Sequence, residues 1–525
     1  MMRDHWLKKL RVIISLLFFV VILALFLDYT EKAVQSALYA VLHFQFIPSI
    51  LQFVATLAPL ALGFAVIILL TLLFGRVYCS TLCPLGTLQD IFNFMKMKLA
   101  PRRRGFKYKR PLNWLRYGIT GLVILSLLTG SILLLNILDP FSAFGKITHN
   151  MFRPLFILGN NIAANILNSQ GFYFLHPEQW VSVNSAALAL SLAWALMLVI
   201  LAVTRGRLYC NTVCPVGTVL GILSRASLFR ISLDQSVCNS CGKCSAVCKA
   251  ECIDPKKQEL DFSRCVGCMN CLSPCPDGGV KFVPAWNRKH TGMESPDLSK
   301  RKFLKETGLV FTGSVIAGPV ALAQNNGKKE VIPASVPVIR EYPVTPPGSL
   351  SQTRFNSLCT ACHLCVSACP THVLQPSYFS YGLKGFLQPR MDYITSFCNF
   401  DCTLCGDACP TGAILPLKRV DKQLIQLGKA YFVKENCIVY TDHTDCGACS
   451  EHCPTKAVDM VPYLGRLRIP EVTENICIGC GACEYACPTD PKSIYVDGNP
   501  VHLQADKPEE KELDINIDLK EDFPF

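Results

Sequence analysis

The spacing of cysteine constrains this chain more than any other feature. Cys238, Cys241, Cys244 and Cys248 follow a C-x2-C-x2-C-x3-C pattern, and Cys265, Cys268, Cys271 and Cys275 repeat it, with Pro276 after the last. In such a pattern three close cysteines wrap one 4Fe-4S cubane and the fourth, held by the x3 turn, ligates its neighbour. The spacing therefore predicts one cluster on Cys238, Cys241, Cys244 and Cys275 and a second on Cys265, Cys268, Cys271 and Cys248. A zinc ribbon would leave two of each four cysteines unexplained. Lys249 rather than proline follows Cys248, and the extra Cys252 leaves the fourth ligand of the second cluster open.

Sixteen further cysteines form four sets: Cys359, Cys362, Cys365 and Cys369; Cys398, Cys402, Cys405 and Cys409; Cys437, Cys446, Cys449 and Cys453; Cys477, Cys480, Cys483 and Cys487. Every set ends in Cys-Pro-Thr and keeps the final C-x2-C-x3-C, which argues for four cubanes on two ferredoxin-like units, six in all. Disulfides do not demand a repeated spacing of this kind. Spacing leaves open whether the sets pair consecutively or are nested, first with fourth and second with third.

Only four of the 29 cysteines precede residue 235, and there the chain is dominated by hydrophobic residues instead. Apolar runs at 12–27, 53–74, 118–137 and 186–203 contain no Asp, Glu, Lys, Arg or His and approach the ~20 residues that cross a bilayer. A mean hydropathy of +0.31 and only 17% charged residues agree in excluding a single soluble domain or a disordered chain. The expected fold class is an α-helical membrane domain of four spans plus α+β ferredoxin-like iron-sulfur domains.

Lys and Arg set the orientation. Arg3, Lys8, Lys9 and Arg11 precede the first run, and Lys96, Lys98, Arg102, Arg103, Arg104, Lys107, Lys109 and Arg110 follow the second, so both segments belong in the cytoplasm. The basic run at 102–110 could be a nucleic-acid patch, but it lies between two expected spans with no interleaved recognition motif, so it reads as topogenic and nucleic acid is not an expected partner.

The remaining four cysteines lie in an internal repeat. Arg76-Val77-Tyr78-Cys79-Ser80-Thr81-Leu82-Cys83-Pro84-Leu85-Gly86-Thr87 matches Arg207-Leu208-Tyr209-Cys210-Asn211-Thr212-Val213-Cys214-Pro215-Val216-Gly217-Thr218 at eight of twelve positions. Two related C-x3-C-P elements at the inner ends of the second and fourth spans could bring four thiolates to one metal or redox site. The alternative is a pair of structural helix ends with reduced thiols.

From Ser299 the sequence Ser-Lys-Arg-Lys-Phe-Leu-Lys precedes a 16-residue apolar run, 308–323. This is similar to a twin-arginine export signal, with lysine at the first paired basic position, and implies another crossing. The expected domains are a four-span membrane domain with the two C-x3-C-P elements at 1–230, a cytoplasmic two-cluster ferredoxin domain at 231–290 and an export or transmembrane segment at 299–323. A Pro-rich linker at 324–350, a periplasmic four-cluster domain at 351–504 and an acidic tail at 505–525 complete the chain.

With these motifs in place, residues 1 to about 290, including Leu138-Asp139-Pro140-Phe141-Ser142-Ala143-Phe144-Gly145, resemble the NapH/MauN membrane ferredoxins. Residues from about 299 resemble the NapG/MauM exported ferredoxins, so the chain is similar to a fusion of the two. The resemblance implies electron transfer from quinol in the membrane quinone pool, through the clusters, toward a periplasmic reductase such as nitrate reductase, or a cytochrome c-type acceptor. It implies a bacterial inner membrane location. Outward-loop His43, His149 and His176 are candidates to contact a quinone or a partner's haem. No nucleotide-binding glycine loop, flavin motif or catalytic dyad marks a self-contained enzyme. The second reading is a redox maturation factor for a periplasmic metalloenzyme, with Cys79, Cys83, Cys210 and Cys214 as working thiols.

Overall fold

The computed structural model describes residues 5–27, 41–57, 62–99, 105–178, 180, 185–285 and 336–507. The export-like segment 299–323, the first part of the expected linker and all of the acidic tail beyond residue 507 lie outside the described residues.

The four apolar runs become helices of unequal length. α1 (His5–Leu27) and α10 (Ser185–Arg205) are long and apolar enough to cross a bilayer. The run expected at 53–74 is divided between α2 (Phe46–Thr56) and α3 (Gly63–Phe74), because Leu57 turns left-handed at φ 51° and closes α2. The run at 118–137 yields α6 (Asn113–Leu128) and a separate short α7 (Leu133–Leu138) after a turn at Gly130, φ 71°. None of α2, α3 and α6 reaches the ~20 residues of a span. By length, two of the four expected spans are met.

Short α4 (Tyr78–Thr81) leads into α5 (Pro84–Leu99), which lies among α1, α10 and α8 (Pro140–Ile147). On α1 the residues Ser15, Phe19, Ile22 and Phe26, spaced four, three and four apart, face this core, whereas Ile13, Leu16, Leu17 and Val20 face outward. α9 (Arg153–Ser169) and α11 (Pro215–Leu223) complete the helices of this half that concern the site.

The two-set unit at 229–284 is closed by β1 (Phe229–Leu233) paired antiparallel with β4 (Val280–Pro284), with the small hairpin β2 (Ile253–Asp254) and β3 (Glu259–Leu260) between them. Leu228 N donates to Leu72 O at 2.8 Å, and Phe229 stacks on Phe74, which fixes the unit to the end of α3.

The four-set unit is built on three antiparallel pairs: β5 (Leu374–Pro376) with β6 (Pro389–Met391), β7 (Ile425–Phe432) with β10 (Ile494–Gln504), and β8 (Val458–Pro462) with β9 (Arg468–Val472). Residues 336–350, expected as an extended linker, belong to this unit instead. Val344, Thr345 and Ser349 are buried, Tyr342 N donates to Asp497 Oδ1 at 2.9 Å, and Arg340 pairs with the buried Glu484. The prolines there serve packing and turns, not spacing.

The two units sit at opposite ends of α1. At one end Arg11 Nη2 is 2.5 Å from Asp90 Oδ2, and Asp90 Oδ1 is 3.2 Å from Lys249 Nζ of the two-set unit. At the other, Phe26 packs on Phe141 and Phe144, and α1 meets the short helix Leu364–Ala368 of the four-set unit. Fifteen residues of helix separate Arg11 from Phe26, about 22 Å at ~1.5 Å per residue.

Candidate functional site

Cysteine-rich loops of this spacing cannot satisfy themselves with regular structure; most of their thiols turn inward, Cys241 staying exposed, and all 29 are free. In the two-set unit Cys238, Cys241, Cys244 and Cys275 line one pocket with Gly279 at its wall, the set expected from spacing. Burial pushes the Cys271 thiol well above its usual range, and Cys268, Cys265, Cys248 and then Cys244 add to the shift, so these sulfurs surround it. Cys252 joins them: its Sγ lies 3.5 Å from that of Cys248 and it is only 1% exposed. Both candidate fourth ligands are therefore present at the second set.

The four-set unit decides between consecutive and nested pairing. Cys365, raised first by burial, is raised further by Cys359, Cys362 and Cys409, and more weakly by Cys405. Cys405 in turn responds to Cys398, Cys369 and Cys402 after burial. Cys449 has Cys446 and Cys487 beside it, and Cys483 has Cys480, Cys477 and Cys453. The first two sets thus exchange their fourth cysteines, Cys369 and Cys409, and the last two exchange Cys453 and Cys487. Pairing is consecutive. Cys398 N donates to Cys480 O at 2.9 Å, so the pairs abut through the second and fourth sets.

The repeated Cys-Pro-Thr has a role that spacing did not reveal. In each set the threonine hydroxyl lies near the sulfur two residues earlier: Thr371 3.7 Å from Cys369, Thr411 3.6 Å from Cys409, Thr455 3.7 Å from Cys453 and Thr489 3.2 Å from Cys487. Backbone N–H groups add to this, Ile414 to Cys409 at 3.4 Å and Ala457 to Cys453 at 3.2 Å. Donors aimed at sulfur suit thiolates that carry charge.

Among the described residues no group of three or more His, Cys, Asp or Glu side chains is arranged to hold a single metal ion. Cysteines grouped in fours, yet not closed on one point, fit the larger body of a cubane. When bound, such clusters supply one-electron carriers whose potentials follow burial and hydrogen bonds to sulfur. The protein's own part is to bury the sulfurs, aim donors at them and hold successive sets side by side.

The two C-x3-C-P elements also converge. Cys79, Cys83, Cys210 and Cys214 are each about 5% exposed or less, and Cys214 is raised first by burial, then by Cys210, Cys79 and Cys83. The loops are locked reciprocally: Arg76 Nη2 donates to Cys210 O at 2.9 Å and Arg207 Nη1 to Cys79 O at 2.7 Å. A Cβ on Gly86 would lie 2.3 Å from Cys79 O, and one on Gly217 2.1 Å from Cys210 O, so this crossing requires glycine in both repeats. Burial alone raises the Asp90 carboxyl, but Arg207, Lys249 and Arg11 outweigh it and hold it well below the usual carboxylate range.

Asp139, Lys146 and His149 mark the seam with the four-set unit, which sequence reasoning missed. Tyr209 hydroxyl donates to Leu138 O at 2.9 Å, Asp139 Oδ2 caps Ser142 N at 2.8 Å, and Lys146 Nζ donates to Asn136 O at 2.6 Å. Burial lowers Lys146 to about 8 despite Asp139, Cys362 and Cys359. His149 Nδ1 is 2.8 Å from Ser367 Oγ and its ring meets His363 edge-on, so it docks this chain's own domain and is not free for quinone or haem. His43 is half-buried, with Gln52 as partner, and the backbone carbonyl of His176 accepts from Asn160 Nδ2 at 2.9 Å.

Comparison with known proteins agrees with this chemistry. A family described as "4Fe-4S binding domain" matches residues 56–103 and 187–233, and one described as "4Fe-4S dicluster domain" matches 358–439 and 444–490. The methylamine utilization ferredoxin-type protein MauM of Methylobacillus flagellatus is 29% identical over 209 residues, 37% of this chain and 80% of its own length. YccM of Escherichia coli K12 is 26% identical over 229 residues, 42% of this chain and 56% of its own. The ferredoxin-type protein NapF of the same strain is 28% identical over 139 residues, 26% of this chain and 75% of its own. No solved structure matches. The chain therefore carries ferredoxin-type 4Fe-4S domains and is related to the ferredoxin-type proteins MauM and NapF.

Proposed function

We propose that this protein is a membrane-bound polyferredoxin that takes electrons from a quinol pool and passes them through six 4Fe-4S clusters toward a periplasmic reductase. The observation that carries this reading is the serial contact of the cysteine sets: exchange of fourth ligands within each pair, and the Cys398–Cys480 bond between pairs. A storage or structural protein has no need of a series.

Membrane insertion is supported by the outward faces of α1 and α10, where Ile13, Leu16, Leu17, Val20, Leu192, Leu196 and Ile200 stand exposed. A contiguous apolar surface of this kind calls for a lipid or protein covering. The reading as a maturation factor with working thiols at the C-x3-C-P loops is disfavoured by their burial, which keeps Cys79, Cys83, Cys210 and Cys214 from a client protein.

The test is anaerobic reduction of the full-length protein in membranes by quinol, followed by the bleaching of cluster absorbance. Bleaching that depends on quinol supports the reading; clusters reducible by dithionite but by no quinol would overturn the donor. Reporter fusions after Lys249 and at Phe525 should read as cytoplasmic and periplasmic, and the same side for both would overturn the two-sided arrangement.

A further inference from the structure

We infer that Cys79, Cys83, Cys210 and Cys214 together ligate one further 4Fe-4S cluster, and that this centre joins the two ferredoxin arms. The inference rests on the six other sets being cluster ligands, and it goes beyond them by making the arms one conductor.

The chemistry of the donor set points to anionic sulfur. Gly217 N donates to Cys214 Sγ at 3.3 Å, the backbone of Gly86 does the same for Cys83, and Gln89 Nε2 lies 3.5 Å from Cys210 Sγ. Two guanidinium groups approach as well, Arg76 Nη2 at 3.9 Å from Cys79 Sγ and Arg207 Nη1 at 3.8 Å from Cys210 Sγ. Neutral buried thiols need no such array; thiolates around a net-negative cluster do.

Charge leads to the same place. Asp90 is one carboxylate shared by Arg11, Arg207 and Lys249, while Arg76, fully buried, finds only Asn211, backbone carbonyls and sulfur as partners, with no carboxylate among the described residues. Cations buried in excess of carboxylate are costly unless a further anion balances them. Four cysteines from two related loops, held face to face by the reciprocal arginines, supply it once they bind a cluster.

Position assigns the role. On one side the loops touch the second set of the two-set unit: Arg76 Nη1 donates to Ser263 O at 3.1 Å, Asn211 Nδ2 to Ala250 O at 3.2 Å, and Arg207 N to Lys249 O at 2.9 Å, all within a few residues of Cys248 and Cys265. On the other side, Tyr209 holds Leu138 at the start of the segment that ends against Cys362, whose carbonyl leaves no room for a Cβ at Gly145. The segment 138–149 thus touches both the quartet and the first set of the exported arm. The step is transfer of a single electron with no bond made or broken: the Cys248/265/268/271 set is oxidised as the quartet is reduced, and the quartet is reoxidised by the Cys359/362/365/409 set.

Iron and acid-labile sulfide are measured in full-length protein beside Cys79→Ser and Cys210→Ser. Seven cubanes give about 28 irons per chain, and either variant should lose about four irons and four sulfides together with one low-temperature EPR signal. About 24 irons in wild type and both variants, or a single zinc lost in the variants, would overturn the inference and leave the six-set reading standing. Far fewer than about 24 irons in wild type would overturn that reading itself. Arg76→Gln keeps all four ligands and should shift one midpoint potential to a more negative value, since a lost cation disfavours the added electron, and Arg76→Lys should return it toward wild type. An unshifted potential would refute the assignment. Dithionite added outside sealed vesicles should bleach every set in wild type but only the outward-facing ones in Cys79→Ser; bleaching of every set in both would refute the bridge.

Discussion

The backbone nitrogen of Cys398 donates to the carbonyl oxygen of Cys480 across 2.9 Å, at the place where two pairs of cysteine sets abut in a row. Its consequence is an order: first set, second set, fourth set, third set. Replacing Cys405 by serine removes a ligand from the second position in that row. One cluster signal should disappear from EPR spectra while the two-set unit keeps its own, and electrons entering at the Cys359 end should no longer reach the Cys437 set on the catalytic time scale. Stopped-flow reduction, read by cluster absorbance, measures this; unchanged passage would show that the row is bypassed.

Thr489 hydroxyl lies 3.2 Å from Cys487 Sγ, the shortest of the four Cys-Pro-Thr contacts. A hydrogen bond to sulfur favours the more negative, reduced state, so Thr489→Val should lower the midpoint potential of the set holding Cys437, Cys446 and Cys449. A net hydrogen bond of ~1 kcal/mol corresponds to about 40 mV for a one-electron couple, and the loss should be of that order or less. Potentiometric titration followed by EPR is the measurement, with iron content unchanged as the control.

Asp90 faces three cations at 2.5 to 3.2 Å. Asp90→Asn leaves those charges buried and uncompensated, a change expected to cost about 3–5 kcal/mol. Because its carboxyl is held below the ordinary range, the stabilisation is complete above ~pH 4 and is lost as the pH falls further, toward the folded-state value. Thermal unfolding of the wild type should therefore weaken below about pH 4, and Asp90→Asn should show a smaller acid dependence on top of its lower midpoint.

Gly145 marks where the four-set unit docks. A Cβ there would lie 2.2 Å from Cys362 O and 2.8 Å from the Phe26 ring, so Gly145→Ala forces the two halves apart. Overpacking of this kind costs about 1–3 kcal/mol, enough to favour an undocked state without unfolding either half. Limited proteolysis between the halves should accelerate while total iron stays constant; unaltered protection would show that the seam tolerates the methyl group.

Much of this could be read without coordinates because a C-x2-C-x2-C loop is a local object. The chain length between those cysteines fixes how far apart their sulfurs can lie, and the Cys238/241/244 pocket with Cys275 appears as spacing predicts. The ligand types, their grouping and the segregation of hydropathy from cysteine all follow from the order of residues. The Thr of Cys-Pro-Thr was visible as a repeat, but its meaning required knowing which way its hydroxyl points.

Other features depend on contacts between residues far apart in the chain, and only the tertiary structure decided them. Hydropathy averaged over a run passes across breaks such as Leu57 and Gly130, so two expected spans proved to be shorter helices. Proline content made 336–350 look like a spacer, yet side chains more than a hundred residues away, Glu484 and Asp497, pin it to the four-set unit. The sequence determined which cysteines group into sets of four, because loop geometry is local. The fold determined that Cys369 and Cys409 change places, that Arg76 and Arg207 bring four thiols together and that His149 faces Ser367, because burial and packing join residues that spacing cannot relate.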